Sequence, residues 1–306
     1  MVPVIETRAL TKVYAARKPA APALDRLDLS VERGEIFGFL GPNGAGKSTT
    51  INLLMDLIRP TAGSAALFGM DSRQNAVEIH RRVGFLPAEL ALWKGDTARQ
   101  IIRSIALVRG DAPAQIKEAE RLAERLSFDP TKKMRDFSTG NKRKLGIILA
   151  LMHRPELLIL DEPTSGLDPL LQQTFNQMML EAKAEGRTVF LSSHVLSEVQ
   201  AICDRVGILR NGQLKAVESV HTLTRVGLRK VSMQLSSEND TLQTLRALAG
   251  VSDLRQHGEQ WQFSYAGQPR QLLAALAAAD IADVLITEPT LEEIFLTFYG
   301  DNGKVN

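Results

Sequence analysis

The stretch "GEIFGFLGPNGAGKSTTINLLMDLI", residues 34–58, constrains this chain more than any other. It opens as a buried-strand pattern, runs into a glycine-rich loop and leaves as an apolar helix. That order places a strand, a tight loop and a helix start within one short segment. Inside it, "GPNGAGKST" (41–49) satisfies G-x-x-x-x-G-K-[ST], a loop that cradles phosphates when it lies between a strand and a helix. Gly41, Gly44 and Gly46 let the backbone approach phosphate oxygens that a Cβ would obstruct. Pro42, Asn43, Ala45 and Thr49 complete the loop around the ligand. Lys47 is expected to neutralise the terminal phosphates, and the Ser48 hydroxyl to reach Mg²⁺.

A second segment fits the same chemistry. "LLILDEP" (157–163) is an apolar strand that delivers two carboxylates at its end, where ligands collect in an α/β sheet. Asp161 is placed to hold Mg²⁺ through its water shell, and Glu162 to act on an attacking water as general base.

Around these motifs the chain has a readable organisation. Residues 4–40 alternate short strand-like stretches with turns, and "HRRVGFLP" (80–87) reads as a strand stopped by proline. From about 88 to 154 the periodicity turns helical, as in Ile101, Ile102, Ile105 and Ala106, which marks an inserted helical subdomain. A strand, a helix over 169–185 and the strand "RTVFLSS" (187–193) then give the βαβ rhythm of a parallel sheet. "RNGQ" (210–213) signals a hairpin. Beyond it the order β-α-β-β-α-β-α is similar to a small α+β ferredoxin-like sandwich, with its last helix in "TLEEIFLTFYG" (290–300). Residues 1–224 carry a net charge of +5 and 225–306 carry −3, which places a domain boundary near 224.

The bulk properties exclude several classes. The net charge of +2 does not advertise nucleic acid as a partner. One cysteine, Cys203, offers neither an internal disulfide nor a zinc cluster, and reads as a small buried apolar residue. The first residues carry no export-signal pattern. The longest uncharged apolar run, "LGIILALM" (145–152), is far short of the ~20 residues a membrane helix needs. Any membrane role is expected to come through a partner.

In this order the motifs resemble the nucleotide-binding family of ABC transporters over nearly all of residues 4–224. "FSTGNKRKLGIILAL" (137–151) is similar to the family signature, "TSGLDP" (164–169) to its D-loop with Asp168, and "LSSHVLSEV" (191–199) to the segment that supplies a switch histidine, here His194. Tyr14 stands where the family stacks an aromatic ring on adenine. The resemblance implies an α/β P-loop NTPase cassette, with a RecA-like core, an antiparallel β subdomain and the helical insertion, that binds and hydrolyses ATP with Mg²⁺. It also implies that Ser138, Thr139 and Gly140, at a helix start, face the ATP held by a second copy of the chain, so that two chains make two sites. The remaining implied partner is a separately encoded integral membrane subunit, which would hold the chain on the cytoplasmic face of the membrane. "EPTLEEIFLTFYG" (288–300) resembles the tail of drug- and antibiotic-export ATPases, favouring export. Two departures stand out. Thr139 and Asn141 replace a glycine and a glutamine of the signature, and Ala88 occupies the place of the Q-loop glutamine, with Glu89 beside it as the substitute toward the metal-bound water. The basic cluster Lys142, Arg143 and Lys144 reads as a solvated helix face, and Trp93 as an exposed anchor for the membrane partner.

Two rivals remain in view. A soluble ABC ATPase acting on nucleic acid or ribosomes is the alternative, disfavoured because the chain has one cassette, no heptad run and no basic tail. A GTPase switch is disfavoured because no N-K-x-D motif occurs, "NKRK" (141–144) ending in lysine.

Overall fold

A computed structural model describes residues 2–14, 22–221, 228–235 and 241–287. The chain divides into two compact units, Met1–Glu218 and Ser219–Asn306. The division lies six residues before the boundary expected from charge, and position 224 itself falls outside the described residues.

The first unit is built on two sheets. Strands β1 (Ile5–Lys12), β2 (Leu24–Val31), β4 (Ala62–Leu67) and β5 (Met70–Asp71) form an antiparallel sheet in the order β2-β1-β4-β5. The second sheet has six strands: β3 (Ile36–Leu40), β6 (Val83–Leu86), β7 (Leu157–Asp161), β8 (Thr188–Ser193), β9 (Arg205–Arg210) and β10 (Gln213–Ser219), in the order β10-β9-β3-β8-β7-β6. The pairs β9/β3, β3/β8, β8/β7 and β7/β6 are parallel. β3, β7 and β8 are buried along their whole length, as parallel strands covered on both faces must be. Phe190 of β8 packs against Phe37 and Phe39 of β3, with ring centroids 5.9 and 5.4 Å away. One core joins the two sheets, with Ile5, Leu29, Phe39, Ile51 and Ile159 among its members. β9 and β10 meet at Asn211 and Gly212, both at positive φ, as a tight hairpin requires.

Helices connect and cover these strands. α1 (Lys47–Leu54) follows β3, and α2 (Ala76–Arg82) precedes β6. The expected strand at 80–87 is therefore corrected: His80–Arg82 close a helix, and the strand begins at Val83. α2 has seven residues and buries only Ile79, so its sequence carries almost no helical periodicity. The helical block holds α3 (Ala98–Arg109), α4 (Ala112–Arg125) and α5 (Thr139–Leu151). α3 starts at a capping box, with Thr97 and Gln100 exchanging bonds to each other's backbone N–H. α5 lies close on β6: a Cβ on Gly84 would meet the Ala150 carbonyl oxygen at 2.1 Å, and one on Gly146 would meet Leu86 at 2.4 Å. α6 (Pro169–Ala184) leads into β8, and α7 (Leu196–Ile202) lies between β8 and β9.

The second unit contains β11 (Leu228–Leu235), α8 (Thr241–Ala247), β12 (Val251–His257), β13 (Gln260–Ala266), α9 (Pro269–Ala277) and β14 (Ile281–Thr287). Its antiparallel sheet has the order β12-β13-β11-β14, the arrangement of a ferredoxin-like sandwich. Val231, Met233, Leu245, Phe263, Tyr265 and Leu272 form its own core. The expected last helix and the segment 288–300 lie outside the described residues.

Candidate nucleotide site

Because β3, β6, β7 and β8 are parallel, the segments that leave their carboxyl ends emerge along one edge of the sheet. The glycine loop follows β3, Glu162 follows β7, His194 follows β8, and Pro87 and Ala88 follow β6. Four remote stretches of sequence thus converge through strand order alone.

A cleft of about 500 Å³ opens there, lined by Tyr14, Ala23, Pro42, Asn43, Gly44, Gly46, Lys47, Ser48, Thr49, Ala88 and Glu162. Gly44 and Gly46 sit at φ +81° and +113°, where a side chain would be strained. A Cβ on Gly41 would meet the Leu209 carbonyl oxygen at 2.4 Å, so this glycine lets the loop fold against β9. Ala45 is buried behind the loop. Lys47, only 6% exposed, donates from Nζ to the carbonyl of Gly41 at 2.6 Å and pairs with Glu162 Oε1 at 3.2 Å. Tyr14 reaches the same cleft half-exposed, with Lys12 Nζ 5.2 Å from its ring centroid.

Glu162 is the hub of the polar groups. It takes φ +49°, a left-handed conformation costing about 1–2 kcal/mol for a residue with a side chain. Its other oxygen, Oε2, accepts from His194 Nδ1 at 2.7 Å. Its N–H donates to Ser192 Oγ at 3.0 Å, and that hydroxyl donates in turn to the buried Asp161 carboxylate. Ser192 escaped the sequence reading, although it stands two residues before His194 on the strand beside β7. Burial raises the pKa of the Cys203 thiol, in keeping with a buried apolar role for it behind Gly38.

The remaining expected residues lie elsewhere in this unit. Ser138 caps α5, its Oγ accepting from the Asn141 N–H at 3.3 Å. Neither Ser138, Thr139 nor Gly140 lines the cleft that holds Lys47. Gly140 backs onto the D-loop, where a Cβ would meet the Gly166 carbonyl oxygen at 2.9 Å. Asp168 caps α6, accepting from the Leu171 N–H at 3.0 Å, and is not a lining residue of the cleft. Ala88 is a lining residue and Glu89 is not. The basic cluster needs correcting: Arg143 is 8% exposed, not a member of a solvated face, and donates from Nη1 to the Pro87 carbonyl at 2.8 Å. Its burial lowers its pKa, against an opposing pull from Asp161 and Glu162.

A family model described as ABC transporter matches residues 24–165. The chain is 34% identical over 305 residues to the bacitracin transport ATP-binding protein BcrA of Bacillus licheniformis, with 98% of each chain covered. It belongs to the ATP-binding subunits of ABC transporters. A second relative of this family, the linearmycin resistance ATP-binding protein LnrL of Bacillus subtilis, is 33% identical over 291 residues, covering 90% of this chain and 92% of its own. Among solved structures, an ATP-binding subunit of an ABC transporter matches at TM-score 0.67 and 30% identity, covering 72% of this chain and 92% of the other. As an ABC ATPase the chain binds nucleotide, and the cleft beside Lys47 is where its motifs meet. Among the described residues no helix is long and apolar enough to cross a membrane.

Proposed function

We propose that the chain powers antibiotic or related amphiphile export by hydrolysing ATP between two of its own copies, docked on a separate membrane subunit. One observation carries this reading: the Ser138–Gly140 helix start lies outside the cleft that holds Lys47, Tyr14 and Glu162. A helix start presents N–H groups without intrahelical partners and about half a positive charge, which suits a phosphate. With its own cleft elsewhere, that end is available to the nucleotide of a second copy. Export is supported by the bacitracin and linearmycin relatives, each matched over nearly its whole length.

In this reading Lys47 leaves Glu162 for the terminal phosphates, and Tyr14 stacks on the base. Among the described residues no three His, Cys, Asp or Glu converge as a metal site. The Ser48 hydroxyl and, through water, Asp161 would hold a Mg²⁺ bound with the nucleotide, being hard oxygen donors of the kind it prefers, and its charge would neutralise the phosphates. Glu162, freed from Lys47, takes the proton of the attacking water at Oε1, while His194 holds Oε2 in place. Ser192 fixes Asp161 and the Glu162 backbone relative to each other. Glu89, next to the lining residue Ala88, is the substitute toward the metal-bound water, and Asp168, at the start of α6, is placed toward the shared nucleotide.

Subunit mixing tests the shared site. Ser138→Arg keeps a complete Lys47 cleft and Lys47→Ala keeps a complete helix start, so each alone is expected to be inactive. A mixture is expected to recover part of the ATPase activity, because one of the two sites in a mixed dimer is intact. Two inactive parents with no recovery on mixing would mean that each chain carries a self-contained site. Co-purification with the membrane subunit tests the docking.

A further inference from the structure

The ladder between β7 and β8 ends at the pair Asp161 and Ser192. Glu162, the next residue, turns at φ +49°, and its N–H donates to a side chain, Ser192 Oγ, at 3.0 Å. An N–H can only donate, so Oγ is the acceptor in that bond and its single proton is left for another group. That proton goes to Asp161 Oδ1. Asp161 Oδ2 has no hydrogen-bond partner among the described residues, so the two oxygens of one carboxylate are divided, one tied to the sheet and one left open. Packing alone does not need the Ser192 hydroxyl. Ser192 is fully buried, and an alanine there would keep the strand while leaving a Glu162 N–H and a buried Asp161 oxygen without their partner. The end of β8 grips Glu162 a second time through His194 Nδ1, 2.7 Å from Oε2. The turn carrying His194 is held by Ser193, whose Oγ accepts from the Val195 N–H at 2.9 Å and lies 2.9 Å from Glu198 Oε2. Glu162 is therefore fixed at its backbone by Ser192 and at its carboxylate by His194.

We propose that Ser192 is a positioning residue with two duties: it orients Asp161 so that Oδ2 is left for the water shell of Mg²⁺, and it keeps Glu162 in the left-handed turn that presents its carboxylate to the attacking water. One hydroxyl thus ties metal affinity to turnover. Every one of these bonds is made within one chain, so a single copy carries an ordered base and lacks the helix start of its partner. This inference rests on the reading of Asp161 as the holder of the metal's water and of Glu162 as the general base.

The experiment uses the full chain and begins with hydrogen exchange at the Glu162 amide, which is expected to be protected in the unsubstituted protein and to lose that protection in Ser192→Ala. Binding titrations with ATP follow, once with Mg²⁺ and once with EDTA. Ser192 is not a lining residue of the cleft, so Ser192→Ala is expected to keep its affinity in EDTA within about twofold and to lose about 10-fold of the advantage that Mg²⁺ confers. At saturating ATP and Mg²⁺ its kcat is expected to fall about 10- to 100-fold. Ser192→Thr, which keeps the hydroxyl, is expected to recover most of both losses. An unprotected Glu162 amide in the unsubstituted chain would overturn the proposal, whether or not the alanine variant folds. So would equal losses of affinity with Mg²⁺ and with EDTA, the mark of a merely structural role, or an unchanged kcat in Ser192→Ala. Glu162→Gln is assayed alongside. Turnover that survives in both variants means that the general-base reading itself has failed, whereas survival in Ser192→Ala alone removes only the role of Ser192.

Discussion

Replacing Glu162 by glutamine removes one negative charge from a site where that charge does two jobs. In the proposed mechanism it is the general base, and it is also the counter-ion of Lys47, 3.2 Å away. The first role sets the rate. Losing a general base costs about 10²–10⁴-fold, so kcat is expected to fall by that amount. The second role sets affinity with the opposite sign. At an effective dielectric constant of about 20 the Lys47–Glu162 attraction is about 5 kcal/mol gross. Desolvation and the amide oxygen of the replacement offset most of it, leaving a net loss of about 1–2 kcal/mol in the empty protein, since Glu162 is partly exposed. ATP no longer displaces a carboxylate from Lys47, and its affinity is expected to rise about 10-fold. The empty variant is expected to melt a few degrees lower, and saturating ATP to remove that deficit. Thermal melts with and without ATP, a binding titration at protein concentrations too low for dimers, and single-turnover hydrolysis measure the three effects. A variant within tenfold of native turnover, or one that binds ATP more weakly, would refute the argument.

Other substitutions probe separate parts of the account. Tyr14→Ala is expected to weaken ATP binding about 5- to 10-fold with little change in kcat, the worth of one stacked base; a titration with ATP and with inorganic triphosphate checks it, since triphosphate affinity is expected to hold. Gly140→Ala places a Cβ 2.9 Å from the Gly166 carbonyl oxygen, so the helix start or the D-loop must shift; hydrolysis is expected to fall about 10-fold while ATP affinity holds, as steady-state kinetics and a binding titration would read. His153 supplies a pH dependence. Burial, aided by the nearby Arg109 charge, lowers its pKa to about 4 from the ordinary histidine value of 6.5. Unfolding therefore takes up a proton below about pH 6.5, and stability is lost as the pH falls toward 4, by about 3 kcal/mol at most. In His153→Gln the difference in Tm between about pH 7 and pH 4.5 is expected to shrink by several degrees; an unchanged difference would count against the buried neutral histidine.

Much of the site was legible because its motifs sit at strand ends and the strands announce themselves. Uniformly apolar runs before Gly41, Asp161 and Ser192 read as fully buried parallel strands, and parallel strands bring their carboxyl ends together. The short helix α2 was not legible, because one buried residue sets no period. Arg143 was misread from its charge, although Arg143, Ile147, Ala150 and Leu151 recur at the spacing of one helix face, and that face is buried. The resemblance put Ala88 at the Q-loop position with Glu89 beside it as the substitute, but adjacency in a loop says nothing about which side chain lines the cleft, and it is Ala88 that does. The Lys47–Glu162 pair was hidden for another reason. Each partner had a role toward nucleotide, and nothing in the spacing of the two motifs pairs them with one another.

The central claim is that one copy is chemically incomplete. ATPase turnover per molecule, measured across a wide range of enzyme dilution at saturating ATP and Mg²⁺, tests it most directly. The account predicts that specific activity rises with enzyme concentration, in step with the dimer detected by sedimentation, and levels off once pairing is complete. Constant specific activity down to concentrations at which sedimentation finds single chains would contradict it.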